Sequence, residues 1–441
     1  MLTHRAATIL GEVPPDWGRE LLRDLLAAHK SGDWGADDDG FPVSVLRSTN
    51  FTSQGTLDFG DVATRCFPQA KAEAMGLQAD DLLLERSGGG PTQPVGRVGF
   101  VTEDLPSHWF SNFVQLLRPD SAKVNPEFLG WVLLELNRSG VVERLQHQTT
   151  QMRNLDFRDY LRVWLPVPPR KEQEAIALAL RAANDALAAA ETKLTATRRV
   201  KAALMQQLFT RGVPGRYQRF KGASVFRHRF DVPASWEVAA LRHSVLSVEY
   251  GTNAPSNDQQ RGLPVVAIPE VIASRFRLGE CSFAEVPAGE AAALKLEPDD
   301  VLLIRTNGNP DYIGKSTVIG AEAADRHIIY ASYLIRVRTD KRRVSGRYLN
   351  YFLAAPLGRR LCLAMANTSA GNHNIGSRAI KQFCFPRPEP EEQEEIIEFL
   401  DRAEDSIEAV AEEIVEIERI KRSLLQNLLT GKVRVTGVAK P

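Results

Sequence analysis

The sequence predicts an α+β protein made of two copies of one module, each followed by a long helix, with the two helices pairing as an antiparallel coiled coil. Three observations lead there. The run Gln173 to Thr210 reappears as Gln393 to Thr430 with its apolar positions matched. Short matches recur across the rest of the chain: Trp17 with Trp236, Asp80-Asp81-Leu82-Leu83-Leu84 with Asp299-Asp300-Val301-Leu302-Leu303, Asn154-Leu155 with Asn374-Ile375, and Pro166 with Pro386. Their offset stays at about 219 to 220 residues, far too long for a solenoid unit. Within each copy, strand and helix patterns mix without a regular βαβ rhythm, which is the α+β signature.

Each module opens on a Pro-rich stretch and its Trp. A short apolar strand is expected at Pro42 to Leu46 and at Leu263 to Ile268. A strand, a turn rich in Gly, Pro and Asn, and a further strand follow in DLLLERSGGGPTQPVGRVGFV and DVLLIRTNGNPDYIGKSTVIG. Another strand is expected at Asn112 to Leu117 and at Tyr333 to Val337, then a helix behind Pro126 and behind Ser345. A polar loop leads to a last strand in VWLPVPP and in FCFPRPEP. Pro168 and Pro390 end those strands just ahead of the long helices, where proline suits a helix start.

In the first long helix, Ile176, Leu180, Ala183, Leu187, Ala190, Leu194, Thr197, Lys201, Leu204 and Leu208 alternate steps of four and three. Ile396, Leu400, Ala403, Ile407, Val410, Ile414, Ile417, Lys421, Leu424 and Leu428 repeat that spacing in the second. Such steps mark the a/d seam of a coiled coil. Neither run contains Gly or Pro, so about 38 residues can stay helical over roughly 57 Å. A narrow apolar seam needs a partner, and the other copy supplies one. Lys201 and Lys421 are the odd polar members of the seam, either snorkelling near the helix end or fixing register or docking. The implied division is 1–167, first module; 168–212, central helix; 213–387, second module; 388–432, C-terminal helix; 433–441, tail.

At 441 residues with 43% hydrophobic content, the chain can bury more than one core. No stretch approaches the ~20 apolar residues of a membrane span, and the N-terminus lacks a charged-then-apolar leader pattern. Cys66, Cys281, Cys362 and Cys384 are scattered without a CxxC pair, as expected for reduced thiols in a cytoplasmic protein without a zinc site. The formal net charge is +0. The second helix is crowded with Glu and Asp from Glu389 to Glu418, so the globular modules need not share that neutrality.

Catalytic motifs fail on spacing or context. Gly308 to Ser316 is close to a P-loop, but five residues separate its glycines and Thr317-Val318-Ile319 reads as strand. Asn309-Pro310-Asp311-Tyr312 is only a partial match to the adenine-holding tetrapeptide of amino-methyltransferases, and no glycine-rich cofactor loop accompanies it. No HExxH or GxSxG is present. What remains is a pair of polar loops present in both modules. The first carries Arg86, Ser87 and Arg97, matched by Arg305, Thr306, Asn307, Asn309 and Lys315. The second carries Thr149, Thr150, Gln151, Arg153 and Asn154, matched by Thr368, Ser369, Asn372, His373 and Asn374. Arg, Asn and Gln can make bidentate contacts to base edges, and Ser, Thr and glycine amides suit phosphate oxygens. Ordinary turn chemistry explains one such loop. Matching positions with different residues are what one scaffold would need to read two DNA sequences.

With these features the chain resembles the specificity subunits of type I restriction-modification systems. The lead-ins Pro168-Pro169-Arg170-Lys171-Glu172-Gln173 and Pro390-Glu391-Glu392-Gln393 carry the likeness. So do the helix ends, Leu204 to Thr210 and Leu424 to Thr430, and the loops Ser87 to Arg97 and Thr368 to Ile375. Glu391 departs from the pattern, since the family often has a second proline there. The resemblance implies a non-catalytic subunit with two target recognition domains, each reading half of a split, asymmetric site in double-stranded DNA. The helices would hold them at a set spacing. It also implies two DNA methyltransferase (M) subunits as partners, with a motor-nuclease restriction (R) subunit added for cleavage. No cofactor is expected on this chain; S-adenosylmethionine belongs to the methyltransferase partners, which flip the target adenine. A lone nuclease or methyltransferase, and a coiled-coil scaffold with duplicated ligand-binding heads, are the competing readings.

Overall fold

The computed structural model describes residues 7–88, 94–149, 152–272, 281–321, 326–369 and 372–435. It divides into two compact units. Unit 1 comprises Met1–Glu191 with Glu412–Pro441, and unit 2 comprises Thr192–Ala411. The division cuts both long helices, so each unit holds one globular module, the start of one long helix and the end of the other.

In unit 1 a four-stranded antiparallel sheet runs in the order Leu26–Ser31, Val114–Pro119, Leu82–Glu85, Val98–Phe100. A three-stranded sheet centres on Phe41–Leu46, parallel to His108–Phe110 and antiparallel to Ala63–Phe67. The strand Leu82–Glu85 lies between two cores. Leu82 and Leu84 join one cluster, with Leu117 and Phe128, and Leu83 joins the other, with Val45 and Phe110. Successive strand side chains point to opposite faces, so a strand covered on both sides reads as an unbroken apolar run.

Unit 2 repeats this topology. Its four-stranded sheet is Val245–Tyr250, Leu334–Thr339, Val301–Ile304, Ser316–Val318. Val301 and Leu303 face one core while Leu302 and Ile304 face the other. Two elements differ from the sequence expectation. The strand expected to reach Ile268 stops at Val266, and Ile268–Ile272 is a helix, because Pro269 has no N–H to continue a ladder. The helix behind Ser345 is split into Gly346–Ala354 and Pro356–Met365 by Pro356. Gly358 permits the tight corner, since a Cβ there would lie 1.9 Å from the Phe352 carbonyl oxygen.

The long helices are Arg170–Arg211 and Pro390–Leu428. Every predicted seam position is buried or half-buried. In unit 1, Ile176, Ala177 and Leu180 share a core with Leu425, Leu428 and Leu429. In unit 2, Met205, Leu208 and Phe209 share one with Ile396, Ile397 and Leu400. The start of one helix therefore packs beside the end of the other in each unit.

The lead-ins set these packings. Gln173 accepts the Asn125 N–H at 2.6 Å and donates to the Pro168 carbonyl at 2.8 Å, tying the helix start to the helix Pro126–Arg138. Gln393 accepts the Ser345 N–H at 3.0 Å and donates to the Arg343 and Pro388 carbonyls. Beside each Gln, a buried Glu takes the indole N–H of the module's first Trp: Trp17 to Glu172 at 3.1 Å and Trp236 to Glu392 at 2.9 Å.

The Asp-Asp pairs are structural too. Asp80 and Asp299 adopt the left-handed conformation at φ 72° and 78°. Asp81 holds Arg118 in a two-pronged ion pair at 2.6 and 2.7 Å, and Asp300 holds Arg338 likewise at 2.8 Å.

Candidate nucleic-acid interface

In each module the two polar loops meet in a single three-stranded antiparallel sheet. In unit 1 it is Gln146–Thr149, Met152–Leu155 and Ser87–Gly88, with Asn154 opposite Ser87 and Arg153 opposite Gly88. In unit 2 it is Asn367–Ser369, Asn372–Asn374 and Thr306–Asn307, with Asn374 opposite Thr306 and His373 opposite Asn307. The convergence spans about 60 residues of chain and follows from backbone pairing rather than from any local motif.

Each sheet is fixed to its module by the same bonds. Arg86 and Ser87 donate their N–H groups to the Phe113 carbonyl at 2.8 and 3.1 Å, and Leu155 donates to the Arg86 carbonyl. Arg305 donates to the Tyr333 carbonyl at 2.9 Å, and Ile375 donates to the Arg305 carbonyl. Phe113 and Tyr333 leave their rings exposed at 37% and 55%, an equivalent pair that sequence reasoning missed. The Arg86 side chain reaches Ser31 Oγ at 3.4 Å. The Arg305 guanidinium lies 4.7 Å over the Tyr250 ring and donates to the Ser332 carbonyl. The Tyr250 hydroxyl donates to Ser377 Oγ and accepts the Ser377 N–H, and these bonds, helped by the Arg305 charge, hold it below its ordinary range. The buried Nε of Arg305 and Oδ1 of Asn374 have no partner among the described residues, which leaves hydrogen-bonding capacity unspent at this sheet.

Other predicted residues sit differently. Arg97 is turned inward. It pairs with buried Glu85 through two 2.8 Å bonds and donates to the Phe51 and Ser48 carbonyls. Its guanidinium offsets the burial of Glu85, and these bonds occupy it within the module. Lys315 takes the same backbone place, its carbonyl accepting from Ile304 where that of Arg97 accepts from Glu85, but its ammonium lies 4.8 Å over Tyr312. Asn307 and Asn309 each accept a backbone N–H two residues on, at 2.8 and 2.9 Å, so part of their chemistry serves the turn. Thr149 and Ser369 are the last residues of their strands, with Thr368 just before Ser369. Thr150 and Gln151 lie outside the described residues. The P-loop-like stretch holds a short turn, Pro310–Tyr312, and then the strand Ser316–Val318 where a nucleotide site would need a helix.

Among the described residues, no group of three or more His, Cys, Asp or Glu side chains is placed to hold a metal ion. None of the helices there is long and apolar enough to cross a membrane. Cys66, Cys362 and Cys384 form no disulfide. A cavity of about 520 Å³ in unit 1 is lined by Leu57, Phe100, Trp131 and Arg181 among others, and by none of the predicted readers.

Fold and site together define a duplicated scaffold, with one polar sheet per module and one long helix after each. No family model matches the chain. Relatives do, one of them over nearly the whole length. A Methanocaldococcus jannaschii chain provisionally named the MjaX specificity subunit of a type I restriction enzyme is 22% identical over 97% of this chain and 96% of its own length. The EcoKI specificity subunit of Escherichia coli K12 is 23% identical over 61% of this chain and 57% of its own length. Two solved structures share the fold. One comes from a study of assembly and conformational transition in a type I R-M system (TM-score 0.58, 16% identity, 96% of this chain and 100% of that one). The other is the type I S subunit from M. genitalium (TM-score 0.56, 12% identity, 96% and 99%). Along nearly its whole length the chain is similar to a chain named as a type I restriction enzyme specificity subunit.

Proposed function

We propose that this chain is the non-catalytic DNA-specificity subunit of a type I restriction-modification complex, reading a bipartite, asymmetric site. The observation that carries the reading is the duplicated polar sheet. One backbone arrangement presents Arg86, Ser87, Arg153 and Asn154 in the first module and Arg305, Thr306, His373 and Asn374 in the second. Equal scaffolds with unequal side chains suit two half-sites of different sequence. The long helices act as an antiparallel spacer, and roughly 57 Å of helix can hold two readers more than one ~34 Å DNA turn apart. Double-stranded DNA, two methyltransferase subunits and restriction subunits are the partners, in the cytoplasm where the genome lies. S-adenosylmethionine is bound by the methyltransferase partners and not by this chain.

Methylation sequencing of the source genome tests this. Deleting the chain erases one bipartite adenine-methylation motif; survival of every motif in an otherwise active system removes the proposal. Exchanging residues 1–165 for those of a relative changes one half-site and leaves the other. Shortening both helices symmetrically by whole heptads changes the spacing but neither half-site.

A further inference from the structure

Unit 2 carries a two-stranded hairpin, Phe220–Val225 against His228–Pro233. Residues 211 to 230 contain Arg211, Arg216, Arg219, Lys221, Arg227 and Arg229 and no Asp or Glu, in a chain balanced at 55 basic and 55 acidic residues. One face of the hairpin is anchored, with Ala223, Val225, Phe230 and Val232 packed in or against the core of unit 2. Ser224 and Arg229 are opposed on the other face. Arg211 lies 3.9 Å from Asp231, and Arg216 is tied to Glu392 and Glu395. Arg219, Lys221, Arg227 and Arg229 are exposed, and their side chains have no hydrogen bond, ion pair or ring contact among the described residues.

The tip adds a second observation. Phe226 and Arg227 both adopt the left-handed conformation, at φ 46° and 67°. Positive φ at both positions marks the type I′ two-residue hairpin turn, a demand that Asn-Gly meets without strain. Here a bulky ring, 43% exposed, and an arginine are held there instead. Hairpin stability alone would favour the opposite choice, and strain of this kind concentrates where side chains are needed for contact. The described counterpart in unit 1 is shorter, Ala7–Thr8 against Gly11–Glu12, and carries an acidic residue.

We propose that this hairpin of the second module is a DNA-backbone arm. Arg219, Lys221, Arg227 and Arg229 contact phosphate oxygens of the duplex, and Phe226 packs against deoxyribose at the groove wall. The inference rests on the DNA-reading function proposed above. A two-stranded ribbon fits a DNA groove, and unpaired cations without a surrounding apolar groove match a polyanion better than a folded protein surface. Phosphate contacts position a protein without carrying sequence information, so the arm acts on affinity and not on the half-site read.

The test uses the chain assembled with its methyltransferase partner and a mixed-sequence DNA duplex, with affinity measured across a salt series. Changing Arg219, Lys221, Arg227 and Arg229 together to Gln reduces the salt slope by up to about 3 to 4, at roughly 0.9 per phosphate contact, and weakens low-salt binding at least about tenfold. The genomic methylation motif stays the same. Replacing Phe226→Asn with Arg227→Gly raises the melting temperature, because the turn loses its strain, yet weakens DNA binding several-fold. A higher melting temperature with unchanged DNA binding overturns the arm. So does an unchanged salt slope in the fourfold variant, or a loss of partner assembly at unchanged slope, which would mark an acidic protein surface instead. If the wild-type complex binds no DNA at any salt, the DNA-reading function fails and the arm with it.

Discussion

The two units keep one framework and use different chemistry on it, and the framework shows which differences matter. Both place a left-handed Asp before a buried Asp–Arg pair, and both seat a Trp indole on the Glu that opens a long helix. The closures of that Glu diverge. In unit 1, Arg434 from the tail after the second helix bonds Glu172 at 2.7 and 2.8 Å and Asp16 at 2.9 and 2.7 Å. In unit 2, Tyr217 and Arg216, from the segment after the first helix, close on Glu392. Each module is thus clasped where one long helix ends and the other begins, by an arginine in both and by a tyrosine in only one. The tail is a working part of unit 1.

Breaking the shared acceptor gives the largest effect. Glu172→Ala strands the Trp17 indole N–H and leaves Arg434 with Asp16 alone, and Glu392→Ala removes the shared acceptor of the Trp236 indole and the Tyr217 hydroxyl. Each is expected to cost about 2–4 kcal/mol, confined to its own unit. Hydrogen exchange resolved by segment checks this. Loss of protection in both units from either single change would contradict the two-unit division.

The seam lysines sharpen the comparison next. Lys421 is 1% exposed and donates to Gln54 Oε1 and Asn184 Oδ1, both at 2.6 Å, beneath the Trp131 ring. Its equivalent, Lys201, pairs with Glu404, which stands where unit 1 has Asn184. Burial, with Arg138 adding repulsion and Glu191 and Glu418 opposing it, pushes the Lys421 ammonium down to about 8. The unfolded chain holds that proton up to lysine's ordinary 10.5, so between these values the unfolded state binds more protons and stability rises with pH. Below about 8 the cost of burying the charge applies in full. Relative to Lys421→Met, wild-type unit 1 should therefore gain about 1–3 kcal/mol across that window. Burial also lowers the Lys201 pKa, but the Glu404 counter-charge should make the response to Lys201→Met smaller. Denaturant midpoints measured from pH 7 to 10 distinguish the two lysines.

How much of this was legible follows from how far apart the cooperating residues lie. The seam spacing is local, and each of its positions is at least half-buried. The Glu-Gln lead-in is visible as a motif, but its partners Asn125 and Ser345 lie about 48 residues away, so its stapling role is not. The inward turn of Arg97 was not legible because nothing local marks Glu85 as buried. A signal existed in the repeat itself: Glu85 and Arg97 correspond to Ile304 and Lys315, a buried charge that appears only with a guanidinium to meet it. The polar loops were found, but their pairing into one sheet was not, because strand pairing across so long a gap leaves no periodic trace. The hairpin of unit 2 was hidden for the opposite reason, since Phe226-Arg227 does not look like a turn.

The smallest expected effect tests whether complementarity or residue identity seats the module on its helix. The helix Pro126–Arg138 offers Glu127 to Arg181, and at the equivalent place Arg347 meets Asp401, with the charges exchanged. Arg181 also feels Asp80 and Asp185, so Arg181→Asp would set an added carboxylate among three others and destabilise unit 1 by about 1 kcal/mol. Adding Glu127→Arg recreates the arrangement of unit 2 and should recover all but about 0.5 kcal/mol, because both pairs are partly exposed and solvent-screened. A double-mutant cycle on denaturant unfolding of unit 1 reads the coupling directly. Recovery means the position requires opposite charges in either order, so a recombined module must bring its helix partner's sign with it. No recovery means that Arg181 is held in place by Asp80 and Asp185, and that the exchanged charges of unit 2 belong to a different local field.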